Sequence, residues 1–207
     1  MSPQASQKPA SGKKPSRSAK APREVKLSRT QAPDDWPAVE WQRGLRRQFG
    51  REQAFGLENI GGEPFFSEYR VSNPKSKSAY RVAIRGTQPG DNFCSCPDYA
   101  TNELGTCKHI EFTLAALEKK RGVKAAFARG YAPAFSEIYL RNDGQRSVHF
   151  RAGTTCPPAI EQAARGLFEV AAHWRLPSKR FDALEQFLGL VHKSGHELRA
   201  YDDALDF

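Results

Sequence analysis

The stretch Phe93-Cys94-Ser95-Cys96 is followed, after ten further residues, by Cys107-Lys108-His109 and then by a helix-like apolar run. Three of the four cysteines and one of the five histidines of the chain lie in this C-x-C, C-x-H pattern. Three sulfur ligands and one nitrogen ligand are typical of closed, tetrahedral structural zinc sites, which leave no position for water or substrate. We therefore predict that a structural Zn²⁺ is bound by Cys94, Cys96, Cys107 and His109.

The alternative interpretation of this pattern needs no metal. The cysteines would be small buried apolar side chains, and His109 would be an ordinary helix residue. Chance spacing rarely places two such ligand pairs directly before an amphipathic segment, so the pattern favours the metal site.

The order of C-x-C, a loop and C-x-H, with strands before it and a helix after it, resembles the SWIM zinc finger. The resemblance covers residues 93–117 and implies that the four ligands named above occupy the ligand positions of that family. SWIM fingers occur in bacterial Swi/Snf-type helicases, some transposases, plant transcription factors and a few signalling proteins. Members bind DNA, proteins or both, so the resemblance implies a binding module and leaves its partner open.

The chain has 207 residues, of which 39% are hydrophobic. This length and composition allow one domain of moderate size or two small ones. The mean hydropathy is −0.66 and no apolar run approaches the length of a membrane span, so no transmembrane helix is expected. No apolar region follows the N-terminal charges, which argues against a secretory signal. Because Cys156 has no evident disulfide partner, we expect a reducing, cytoplasmic compartment, with association to a bacterial nucleoid left open.

Residues 1–35 are rich in Ser, Pro, Ala and Lys and contain almost no large apolar side chains. Such a segment cannot bury enough surface to offset the entropy of ordering, so we predict a disordered basic arm. Residues 1–30 contain eight basic side chains and one acidic side chain, and they account for most of the net charge of +9. The arm is expected either to bind phosphates without sequence preference or to act only as a solubilising leader.

Residues 36–125 are predicted to form the zinc-finger domain. Alternating apolar residues in 65–71 and 80–84 predict two antiparallel strands, and the second strand leads into the first ligand pair. Thr106 is expected to cap a helix that carries the second ligand pair in its first turn and that Gly122 ends.

Basic side chains around the predicted metal site indicate one nucleic-acid-facing surface. The candidates are Lys75, Lys77, Arg81, Arg85, Lys108, Lys119, Lys120 and Arg121. A further helix, predicted over residues 39–49, carries arginines that could lie on a phosphate backbone. For the arginine-bearing helix, the alternative is an ordinary face exposed to solvent. For the lysines near a helix C-terminus, the alternative is that they only complement the negative end of the helix dipole.

Residues 131–207 are predicted to form a second module, a β-hairpin followed by helices, so the expected fold class is α+β. Asn142-Asp143-Gly144 is a hairpin turn signal between two alternating segments. Apolar stripes over 160–171 and 181–191 predict two helices. We find no nucleophile at motif spacing from a base in this module, and its four histidines are expected to be structural.

This second module resembles the segment that precedes the ATPase in bacterial Swi/Snf-type proteins with an N-terminal SWIM finger. The resemblance depends on the sequences EIYLR at 137–141 and HELRAYDDAL at 196–205. The sequence contains no Walker A lysine loop and no acidic Walker B candidate. The resemblance therefore implies a Swi/Snf-type ATPase acting in trans.

Together, these observations predict a zinc-binding module that binds nucleic acid, DNA in preference to RNA, or that targets a helicase-type ATPase to it. The alternative is a zinc-stabilised adaptor that binds another protein without contacting nucleic acid. We expect no enzymatic activity. His109-Ile110-Glu111 offers the H-x-E of nucleobase deaminases, but the downstream P-C-x-x-C is missing and four protein ligands complete the coordination of the ion.

Overall fold

The computed structural model describes residues 26–142 and 144–205, which form an α+β structure with two sheets and two hydrophobic cores. This confirms the fold class expected from the sequence. The first unit contains the ligand pattern, and the second unit follows it along the chain. Residues 1–25 of the predicted basic arm lie outside the described part of the chain.

Residues 26–35, which the sequence assigned to the disordered arm, lie against the first helix, α1 (Ala38–Glu52). The backbone N–H of Leu27 donates a hydrogen bond to the side-chain oxygen of Gln48 at 2.7 Å. The folded part of the chain therefore begins before the boundary predicted at residue 35. The contact joins residues 21 positions apart, so no local pattern indicates it.

The first sheet is antiparallel, with its strands in the order β1-β2-β3-β4. The strands are β1 (Gly56–Asn59), β2 (Glu68–Asn73), β3 (Ser78–Ala83) and β4 (Phe93–Cys94). The two predicted strands correspond to β2 and β3. The sequence did not indicate β1 and β4, because strands of four and two residues are too short to show an alternating pattern.

Three further helices complete the first unit: α2 (Pro97–Thr101), α3 (Lys108–Glu118) and α4 (Val123–Arg129). The helix predicted at the second ligand pair is confirmed as α3, but its predicted cap is wrong. Cys107 occupies the N-cap position, and the hydroxyl of Thr106 instead donates to the carboxylate of Glu111 at 2.8 Å. Gly122, with a φ of 88°, separates α3 from α4, and α4 was not predicted.

Helix α1 packs across α3, and the backbones of the two helices come close together at Gly50. A Cβ atom at this position would lie 2.7 Å from the backbone nitrogen of Phe112, so only glycine fits. Beneath α3, the core includes Tyr69, Ile110 and Leu117, each at most 1% exposed. The helix is therefore held by apolar packing on both sides as well as by any ion at its start.

The second unit contains a three-stranded sheet with the order β6-β5-β7, in which β7 pairs parallel to β5. Its elements are β5 (Ser136–Asn142), β6 (Arg146–Arg151), α5 (Pro158–Leu167), short 3₁₀ turns (Val170–Ala172 and Ser178–Arg180), α6 (Phe181–Ser194), β7 (Leu198–Ala200) and α7 (Asp202–Leu205). The predicted hairpin and both predicted helices are confirmed. Helix α5 ends before the predicted position because the extended backbone of Phe168 leads its ring into the core.

Among the described residues, no helix combines the length and the apolar character that crossing a lipid bilayer would require.

The two units contact each other through a buried ion pair. Nε of Arg85, after β3, lies 3.6 Å from Oε1 of Glu137 in β5, and the two side chains are 3% and 0% exposed. The prediction that Arg85 contributes to a nucleic-acid-facing surface is therefore wrong. Arg85 follows the end of β3, and its side chain points into the contact between the two units. The alternating pattern of the strand does not indicate this direction.

The substitution Leu117→Ala tests the contribution of the first core. We expect it to lower the free energy of unfolding by about 2–5 kcal/mol, because it removes a fully buried side chain and leaves a cavity. Leu190, which is 46% exposed, provides a matched control, and Leu190→Ala is expected to change the free energy by less than about 0.5 kcal/mol. Urea unfolding followed by circular dichroism measures both values, and equally small changes would contradict the described packing.

Candidate metal centre

The four predicted metal ligands converge on one point. The ligand atoms of Cys94, Cys96, Cys107 and His109 all lie within 4.8 Å of one another, and all four residues are buried. Nδ1 of His109 is 3.8 Å from the sulfur of Cys94 and 4.0 Å from the sulfur of Cys107. A tetrahedron with Zn–S bonds of about 2.3 Å has edges of about 3.8 Å between its sulfur atoms. The cluster is therefore able to hold a metal ion, and its donor set is one that zinc prefers.

The first ligand pair is held at the end of β4. Cys94 is paired with Val82 of β3 in the sheet. The intervening Ser95 stays bonded to β3, because its hydroxyl accepts a hydrogen bond from the N–H of Arg81 and its own N–H donates to the Arg81 carbonyl, both at 2.9 Å. The sheet thus fixes the residue between the two cysteines while both thiols take part in the cluster.

The three thiols cannot all be ionised without a compensating charge. Burial raises the pKa of Cys107, although a hydrogen bond from the backbone of Ile110 acts in the opposite direction. Hydrogen bonds to Cys107 and Cys96 raise the pKa of Cys94, and hydrogen bonds from Cys107 and Cys94 lower the pKa of Cys96. The cluster by itself therefore favours one thiolate. A divalent cation would supply the charge that three thiolates require, and its binding would release protons.

Aromatic rings enclose the side chain of His109. Its ring centroid is 5.2 Å from that of Phe55 and 4.8 Å from that of Tyr80. The acid of the H-x-E segment, Glu111, pairs with Arg47 of α1 at 3.5 Å. Aromatic rings therefore surround the cluster, and the nearby carboxylate of Glu111 forms an ion pair with Arg47. These surroundings are typical of a structural ion and not of a catalytic one.

The loop between the ligand pairs, residues 97–106, is held from two sides. From α1, Arg46 forms an ion pair with Asp98 at 3.0 Å. From β6 in the second unit, Nη2 of Arg146 donates to the carbonyl of Tyr99 at 3.0 Å. The second unit therefore contacts the segment that positions the ligands.

A second contact joins the same loop to β5. Gly105 has a φ of 70° and lies so close to the carbonyl oxygen of Asn142 that a Cβ atom would overlap it. The side-chain amide of Asn142 donates to the carbonyl of Asn102 at 3.0 Å. These residues are 40 positions apart, and we found no signal in the sequence that indicates their contact.

The predicted nucleic-acid-binding residues are not brought into one cluster. The exposed turn between β2 and β3 carries Lys75 and Lys77, and it lies toward the N-terminal end of α3, where the ring of Tyr80 meets that of His109. A second exposed group follows the C-terminal end of α3 and consists of Lys119, Lys120 and Arg121. The two groups therefore lie toward opposite ends of α3.

The other three candidates are less exposed. Arg81 is half-buried, pairs with Glu68 at 3.2 Å and lies 5.3 Å from the ring centroid of Phe93. Lys108 is half-buried as the first residue of α3, and Arg85 is buried between the units.

Elemental analysis of the purified chain is expected to find one zinc ion per molecule. The substitution Cys107→Ser should remove the ion and unfold the first unit, because the binding energy of a structural metal is folding energy. Cys156→Ser provides the matched control, since Cys156 lies outside the cluster, and it should retain both metal and fold. Lowering the pH should release the ion as protons compete for the thiolates. A wild-type chain that stays folded and binds no zinc would contradict this assignment.

The substitution Arg146→Ala is expected to speed the release of zinc to a chromophoric chelator by about tenfold, because it frees one side of the ligand loop. Arg165→Ala is the control, since the exposed Arg165 pairs with Glu161 within α5. Equal release rates for both variants would show that the second unit does not support the site.

Comparison with known proteins finds no matching family model, no matching curated protein and no matching solved structure. The resemblance of the ligand spacing to the SWIM finger stays a prediction. The assignment of the site depends on its own geometry: a buried cluster of three thiols and one imidazole that is able to hold one metal ion.

Proposed function

We propose that this chain is a zinc-stabilised module that binds nucleic acid, DNA in preference to RNA, and that brings a Swi/Snf-type ATPase, supplied by another chain, to it. One observation carries the proposal. Exposed basic side chains lie at both ends of the helix that begins in the metal cluster, and within the described part of the chain none of them forms an ion pair. They are Lys75, Lys77, Lys119, Lys120 and Arg121.

These side chains differ from several arginines of the first unit that have carboxylate partners. Arg46 pairs with Asp98, and the exposed Arg70 pairs with Glu58 at 3.1 Å. A paired guanidinium is partly neutralised, whereas an unpaired ammonium group keeps its full attraction for phosphate. The unpaired groups are therefore the better candidates for contacts with a nucleic acid backbone.

Two separate basic groups suit an extended anion such as a nucleic acid backbone. The preference for duplex DNA follows from its major groove, about 12 Å wide, whose flanking phosphates are open to protein side chains. The major groove of RNA is deep and narrow, so its phosphates are spaced differently. The proposed role of the zinc ion is to fix α3 against the sheet and thereby to hold Lys119, Lys120 and Arg121 in place.

Fluorescence anisotropy of labelled DNA and RNA duplexes, titrated with zinc-loaded protein at increasing salt, tests the proposal. The triple substitution Lys119→Ala, Lys120→Ala, Arg121→Ala should weaken DNA binding and reduce the slope of log K against log salt by about 2–3, because each phosphate contact contributes roughly one unit. A matched control removes three exposed charges from the second unit: Arg165→Ala, Arg175→Ala, Lys193→Ala. It should bind as the wild type does. Failure of the zinc-loaded wild type to bind DNA at low salt would overturn the proposal.

The second candidate function is a zinc-stabilised protein-interaction adaptor. It is favoured by large apolar side chains that the second unit exposes: Val170, Phe181, Leu190 and Leu205. Pull-down from lysate with and without nuclease separates the candidates. Partners that remain bound after nuclease treatment favour the adaptor, and partners that are lost favour nucleic acid binding.

A further inference from the structure

A cleft of about 1020 Å³ lies between the two units. One wall is formed by residues 61–68, which lead into β2, and the other by residues 130–135, which link the units. Arg85 and Tyr201 also line the cleft. Its volume is comparable to that of small-molecule binding sites, about 300–1,000 Å³.

The guanidinium of Arg85 is buried in this cleft without a hydrogen-bond acceptor among the residues that the structure describes. Its side chain is 3% exposed, yet in the described part of the chain none of its three nitrogen atoms makes a hydrogen bond. The 3.6 Å approach of its Nε to Glu137 is an ion pair beyond hydrogen-bonding distance. A buried charged donor without an acceptor is costly, and native proteins satisfy nearly all such groups.

The carboxylate of Glu137 is already occupied by other donors. The hydroxyls of Tyr131 and Tyr201 donate to its Oε1 at 2.9 Å and 2.8 Å. Nη1 of Arg151 donates to its Oε2 at 2.8 Å. Glu137 thus balances charge near Arg85 without satisfying the donors of Arg85.

Arg85 nevertheless stays charged. Burial acts to lower its pKa, but the nearby Glu137, Tyr201 and Asp203 outweigh burial, so its pKa is raised above the ordinary value. The cleft therefore contains a permanent buried cation whose donors have no acceptor among the described side chains.

We propose that this cleft binds a small organic anion. A carboxylate or phosphate group would accept hydrogen bonds from Arg85, whose planar fork matches both groups. A planar or apolar body on the same molecule would pack against half-buried aromatic side chains of the walls, which are Phe65, Phe66 and Phe135. Of the two acids that line the cleft, Glu63 and Glu68, the second is paired with Arg81. This ligand site is independent of the proposed binding of nucleic acid by the exposed lysines.

Isothermal titration of the full zinc-loaded chain with benzoate, adenosine monophosphate and inorganic phosphate tests the proposal. Benzoate or adenosine monophosphate should bind more tightly than inorganic phosphate, because only they have a body that contacts the rings. Arg85→Met should weaken that binding at least about tenfold. Arg70→Ala, which removes an exposed charge outside the cleft, should leave it unchanged.

A second variant keeps the test decisive if Arg85→Met does not fold. Ala132 is exposed in the cleft wall, and the substitution Ala132→Trp should fill the cleft while leaving Arg85 unchanged. We expect this variant to retain its zinc and its circular dichroism spectrum and to lose binding of the probes. The proposal is overturned if neither benzoate nor adenosine monophosphate binds the wild type, or if a folded variant of either kind binds them as the wild type does.

Discussion

The convergence of three thiols and one imidazole is the constraint on which the first unit depends. The ligands come from the end of β4, a strand of two residues, and from the start of α3. A strand this short contributes few ladder hydrogen bonds, so the sheet alone does not fix the position of α3. An ion bound by all four side chains would join sheet and helix directly and would supply the charge that three buried thiolates require.

The same site connects the two units. The loop between the ligand pairs is held by α1 on one side and by β5 and β6 of the second unit on the other. Arg146 and Asn142 donate hydrogen bonds to its carbonyls, and the buried pair of Arg85 and Glu137 adds a further contact. The second unit is therefore part of the support of the metal site, and movements of one unit are expected to reach the other.

Arginine and lysine have different roles in the structure. Arginines form the fixed internal contacts, as Arg46, Arg81 and Arg146 illustrate, whereas the exposed groups at the two ends of α3 are mainly lysines. A planar guanidinium suits fixed, directional hydrogen bonds, and a hydrated ammonium group suits exposed positions. The count of basic residues in the sequence therefore overstates the charge available to a nucleic acid partner.

The sequence by itself determined the candidate ligand set, the central strands β2 and β3, the hairpin of the second unit and the helices α1, α3, α5 and α6, because ligand spacing and apolar periodicity are local properties. Only the tertiary structure decided the burial of Arg85, the contact of Asn142 with Asn102 and the division of the basic residues between the two ends of α3. These features depend on contacts between segments distant in sequence. Local patterns do not encode such contacts, since they arise only when separate elements pack together.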